Sequence, residues 1–152
     1  MLPVDLTPHF TLDEMLRSEA ALRNGIPNQP NDEQLHNLQR LCEVLLEPAR
    51  ALVGALHVNS GFRSLALNEL VHGAHNSAHL DGRAADLDPV DSDLRRAFDT
   101  LRVSSLPFDQ IIIECNAWIH LACARDGETP RRQALSAMGS PGHWTYSEVS
   151  HG

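Results

Sequence analysis

The chain has 152 residues, enough for one domain with a single continuous core. Hydrophobic residues make up 42% and charged residues 21%, as in ordinary globular proteins, and no apolar run approaches the roughly 18 residues a membrane helix needs. The net charge is −8 with no basic stripe, which argues against a nucleic-acid partner.

The N-terminal stretch MLPVDLTPHF has neither a basic region nor a long apolar core, so no signal peptide and no membrane insertion are expected. Cys42, Cys115 and Cys123 have no regular spacing, which argues against a disulfide framework and for small hydrophobes in a reducing cytoplasm. Nine histidines invite a search for a metal site.

In chain order, Thr11 and Glu14 have capping-box spacing and predict a short helix ending near Ser18. Gly25, Pro27 and Pro30 make residues 23–31 a loop. Asn31, with Gln34 three residues on, caps a longer helix whose apolar face is Leu35, Leu38, Leu41, Leu45, Ala49 and Leu52. Pro48 should kink or restart it, since it removes a donor and crowds the preceding turn. A strand over 56–59, a helix over 64–71 and a polar loop over 72–78 follow.

A strand over 83–87 leaves the turn at Gly82, Pro89 ends it, and Ser92 caps a helix over 93–101. FDQIIIE, Phe108 to Glu114, is the best strand in the chain. Residues 118–122 form its antiparallel neighbour, and 132–137 a weaker strand. One domain, 1–152, is expected, with a core of about 9–137 and a loosely held tail over 138–152. Helices come first and most strands later. The prediction is α+β: an antiparallel sheet carrying the functional site, with helices packed mainly from the N-terminal half.

The chemistry concentrates in Ser60 to Asp88, SGFRSLALNELVHGAHNSAHLDGRAADLD. His79 and Asp86 lie seven residues apart, with Gly82 between them allowing a tight reversal. On the 118–122 strand, alternation puts His120 on the same face as Trp118. These three read as ligands of a catalytic zinc, which typically takes three protein donors and keeps one position open. Such a site polarises a carbonyl and acidifies water. Spacing alone also fits a half-buried histidine stacked beside Trp118. A rival site of Cys115, His120 and Cys123 is disfavoured, because alternation and strand length do not bring both thiols to the His120 face.

From His9 onward the chain resembles the zinc D-Ala-D-Ala carboxypeptidase family, in particular its phage-type branch of murein peptidases. The matching pieces are HFTLDEMLRS, LEPARALVG, SGFRS, LNELVHGAHNSAHLDGRAADLD, FDQIIIE, WIHLA and RRQAL, in order from about residue 9 to residue 135. The signature S-x-H-x(2)-G-x-A-x-D is met by Ser77, His79, Gly82, Ala84 or Ala85, and Asp86.

By that resemblance His79, Asp86 and His120 match the ligands of one zinc ion per chain. Arg63 matches the arginine that holds a substrate carbonyl or carboxylate, for which a guanidinium offers a fixed fork of donors. Its bland alternative is a fold-supporting salt bridge. Ser77 either bonds substrate backbone or caps its loop, and His75 is a candidate substrate contact. His9, His36, His57, His72, His143 and His151 are expected at the surface or in packing.

Many relatives carry an acid three residues before the last histidine, where this chain has Ala117. Glu114 is then the candidate general base, if a tight hairpin brings it to the site. The resemblance implies a zinc peptidase acting on peptidoglycan stem peptides, carboxypeptidase- or endopeptidase-like in the manner of an endolysin. The enzyme would be made in the cytoplasm as a monomer and act on the wall after release or within a virion. Ala117 motivates the alternative of a non-catalytic zinc-containing peptidoglycan binder or phage tail protein.

Overall fold

A computed structural model of the chain describes residues 4–150. Met1–Pro3 lie outside the described residues, as do His151, expected at the surface or in packing, and Gly152. Among the described residues, no helix is long and apolar enough to cross a membrane.

A small ribbon of β1 (Asp5–Thr7) and β2 (Phe10–Thr11) precedes α1 (Leu12–Leu16). The expected capping box forms: the Glu14 N–H donates to Thr11 Oγ1 at 3.2 Å, and the Thr11 N–H donates to the Glu14 carboxylate at 2.9 Å. Ser18 opens a further helix, α2 (Glu19–Arg23), by accepting from the Ala21 N–H at 3.1 Å.

The long helix begins as α3 (Asp32–Leu41), capped by Asn31 and Gln34 as expected. A π-helical turn, Cys42–Leu46, follows it. There the Glu47 N–H reaches back five residues to the Cys42 carbonyl. The wide turn carries the chain past Pro48, whose ring crowds the preceding turn, and the helix restarts as α4 (Glu47–Val53). It also shifts the angular phase of the apolar face. Leu38, Leu41, Leu45, Leu46 and Ala49 are buried, whereas Leu35 and Leu52 stay 36% and 51% exposed.

The second half supplies β3 (Leu56–Ser60), α5 (Leu65–Leu70), a 3-10 turn (Ala78–Asp81), β4 (Ala84–Pro89), α6 (Leu94–Arg102), β5 (Phe108–Glu114), β6 (Trp118–Cys123), β7 (Gln133–Ser140) and β8 (His143–Glu148). The cap of α6 is Asp93, which accepts from the Arg96 N–H at 3.0 Å. Ser92, the expected cap, instead donates to the Val53 carbonyl at 3.2 Å.

Six strands form one sheet in the order β3-β4-β6-β5-β7-β8, antiparallel except for the β5–β7 pair. After β6 the chain crosses the end of the β5–β6 hairpin and enters on the far side of β5, so β7 runs parallel to it. Arg131 forks onto the Asp109 carboxylate at 2.8–3.1 Å and the Arg132 guanidinium stacks 4.5 Å from the Phe108 ring centroid, pinning the crossing.

One sheet face, with Ala85, Leu87, Ile111, Ile113, Ile119 and Leu121, packs on α3, the π turn, α4 and α6 through Leu38, Leu41, Leu45, Phe98 and Leu101. The opposite face carries Asp86, Ile112, His120 and Leu135. The unbroken Ile111-Ile112-Ile113 run fits a strand covered on both sides.

The tail differs from expectation. Instead of a loose end after residue 137, β7 continues to Ser140 and β8 pairs along it from Leu135↔Glu148 to Ser140↔His143. Alternating Trp144 and Tyr146 supply the strand pattern that the neighbouring Gly, Pro and Ser obscured.

Candidate metal centre

Backbone geometry brings the three candidate ligands together. His79 sits in the 3-10 turn, which Ser77 caps by accepting from the His79 N–H at 3.2 Å. Gln34 and Asn37 of α3 donate to the Leu80 and Asp81 carbonyls at 3.1 and 2.9 Å and hold that turn on the helix. Gly82 closes it at φ +77, where an added Cβ would lie 2.6 Å from the Gln34 carbonyl oxygen. The chain then enters β4, where Asp86 pairs directly with His120 of β6. Facing residues on neighbouring strands share a side, so their side chains meet.

All three are buried, at 2%, 7% and 8% exposure for His79, Asp86 and His120. Their ligand atoms lie within 4.8 Å of one another. Asp86 Oδ1 is 3.2 Å from His79 Nε2 and 3.0 Å from His120 Nδ1. His79 Nδ1 lies 2.7 Å from the Gly61 carbonyl, which can only accept, so Nδ1 carries the proton and Nε2 presents its lone pair to the cluster.

Burial alone would raise the Asp86 pKa, but the two histidines beside it, with their polar N–H groups, prevail and hold it well below the usual carboxylate range. Burial lowers that of His79. At His120 burial pulls down too, yet the Asp86 hydrogen bond and charge, with the Glu114 charge, outweigh it and raise the pKa. An ionised carboxylate, a neutral imidazole with a fixed tautomer and a second imidazole form a donor set suited to a divalent transition metal such as zinc.

Two further groups flank the cluster. Arg63 Nη2 is 3.5 Å from Asp86 Oδ2. Its Nη1 donates to Asn68 Oδ1 at 2.9 Å and its Nε to Ser60 Oγ at 3.3 Å. Asn68 is 2% exposed and also donates to the Ala74 carbonyl at 3.0 Å, so the arginine has a buried anchor that sequence reading did not single out.

Glu114 ends β5 directly opposite Trp118, one same-face pair along from Ile112↔His120. A three-residue loop joins the strands, with Cys115 and Asn116 at positive φ, and Ala117 is exposed in it. Trp118 Nε1 donates to Glu114 Oε2 at 2.8 Å. Burial, then the Asp86 charge, raises the Glu114 pKa above the ordinary glutamate value.

The centre opens onto a cleft of about 1110 Å³. Arg63, Ser77, His79, Asp86, Glu114 and His120 all line it. His75 is exposed and outside that lining, whereas His57 and His72, expected as surface or packing residues, belong to it. Trp144 and Tyr146 of β8 line it as well, and the assignment of their segment to a loose tail had hidden them. Cys42 and Cys123 are buried free thiols, the former pushed up to about 12 chiefly by burial, and take no part.

Fold and site together define an α+β domain whose sheet carries a His-Asp-His centre able to bind a metal ion. Residues 8–122 match the family model described as Peptidase M15, a range that holds Arg63, His79, Asp86, Glu114 and His120. The chain belongs to the Peptidase M15 family, a family of zinc-dependent peptidases. No curated protein matches it.

Proposed function

We propose that this chain is a zinc-dependent peptidase that hydrolyses a peptide bond in the stem peptides of bacterial peptidoglycan, as a carboxypeptidase or endopeptidase of the endolysin kind. The observation that carries the reading is a buried His-Asp-His donor set opening onto a cleft that also holds an anchored arginine and a half-buried carboxyl group. His79 Nε2, an Asp86 oxygen and His120 Nδ1 would hold one zinc ion. Zinc supplies Lewis acidity there, polarising a carbonyl and lowering the pKa of water.

Arg63, fixed by Ser60 and Asn68, offers its guanidinium to a substrate carbonyl or carboxylate oxygen. Trp118 holds Glu114 Oε2, leaving Oε1 to take a proton from the attacking water. With its pKa raised, Glu114 keeps that proton long enough to hand it to the leaving amine nitrogen. The chain acts as a monomer on the cell wall, after release from the cytoplasm or within a virion.

Digestion of purified peptidoglycan, with released products weighed by mass spectrometry, tests this reading. Zinc-loaded wild type should free products with a new amine and carboxyl end. Glu114→Ala should keep its metal and slow release by on the order of 10²- to 10⁴-fold. A zinc-loaded wild type that releases nothing would overturn the assignment.

A further inference from the structure

The family match ends at residue 122, and the β7–β8 hairpin lies beyond it. Its register nevertheless aims it at the centre. Trp118 pairs with Glu114, Glu114 with Ala137 and Ala137 with Tyr146, so one row of side chains on the cleft face runs from β6 to the edge strand β8. Two residues back along β8, Trp144 pairs with Gly139, which sits at φ +128 and offers no side chain of its own. The indole packs on buried Ile112, Leu135 and Ala137 and stands edge-on to Trp118 at 6.4 Å between ring centroids.

Tyr146 is 51% exposed, and among the described residues its hydroxyl has no hydrogen-bond partner, yet it lines the cleft with the centre. A rigid aromatic body with a free polar tip costs little side-chain entropy to order and suits recognition. On the opposite face of the same strand, Thr145 points away from the cleft.

We propose that Trp144 and Tyr146 are specificity-determining residues. Trp144 receives an aliphatic side chain next to the scissile bond, and the Tyr146 hydroxyl bonds the peptide backbone, so the hairpin selects which stem-peptide bond is presented to Glu114. This rests on the peptidase reading above for its substrate class.

The test uses the zinc-loaded full chain and synthetic stem-type peptides that share one scissile bond and carry Gly, Ala or Leu beside it. Cleavage gives kcat and KM. Binding is followed separately by intrinsic fluorescence, since both tryptophans of the chain, Trp118 and Trp144, line the cleft. Wild type should prefer one side chain by roughly tenfold or more. Trp144→Ala should flatten that preference, and Tyr146→Phe should raise KM by roughly threefold to tenfold on every peptide with a much smaller change in kcat. Thr145→Ala should behave as wild type.

Unchanged preference and KM in both cleft variants would overturn the proposal, as would equal losses in Thr145→Ala, which would mark a general effect of disturbing the hairpin. Peptides that bind but are not cut would count against the peptidase reading alone, and the binding preferences of the same variants would then decide the role of the hairpin. Peptides that do not perturb wild-type fluorescence at all would sink the inference.

Discussion

His79 and His120 flank one carboxylate, yet their proton affinities move in opposite directions. His79 is more deeply buried and has already committed its Nδ1 to the Gly61 carbonyl, so burial prevails. His120 lies slightly closer to Asp86 and also feels Glu114, so the carboxylates prevail. A metal takes the neutral imidazole, and a proton at His120 competes with it. Zinc affinity is therefore full above the raised pKa of His120 and lost as pH falls through it. Zinc titrations should show affinity dropping by up to about tenfold per pH unit once that point is passed. An affinity flat from about pH 8 to about pH 5 would contradict ligation by His120.

At this scale the sequence pointed to the three side chains that the structure brings together. His79 and Asp86 are separated by one short turn, and strand alternation placed His120 beside Trp118. Asn68 escaped notice because a polar residue inside a helix signals nothing by itself. Its partners, the Arg63 side chain and the Ala74 carbonyl, are brought to it only by tertiary packing.

Among the elements, the 3-10 turn carrying His79 depends most on a single residue. Gly82 lies in the left-handed region with α3 packed against it, so Gly82→Ala meets both a strained φ and the Gln34 carbonyl. The substitution should destabilise the fold by about 1–3 kcal/mol, read as a lower urea midpoint with an unchanged slope. An unchanged midpoint would mean that the turn is not held on α3 as described. Caps at Thr11 and Asn31 were readable because each is a local exchange between side chain and backbone. The π turn before Pro48 was not, since a proline says that a regular helix cannot continue unaltered but not how the backbone will adjust. The β8 strand was missed for a related reason: residues that favour turns outweighed the alternation of Trp144 and Tyr146.

For the whole molecule, division of labour between the two sheet faces governs what the fold can do. One face is closed by helices and gives the core its cohesion; the other presents the centre and cleft on strands whose register the core fixes. The α+β class and the antiparallel character of most of the sheet followed from element order. The parallel β5–β7 pair did not, because neighbours joined by a crossing connection leave no local trace in the residues.

The chemistry of the cleft depends on His79, Asp86 and His120 making one metal site. Elemental analysis of tag-free protein purified without chelator, wild type beside His79→Ala, tests it most directly. About one zinc per chain in the wild type, lost in the variant, is the expected result. A wild type without zinc, or a His79→Ala protein that keeps it, would contradict the site.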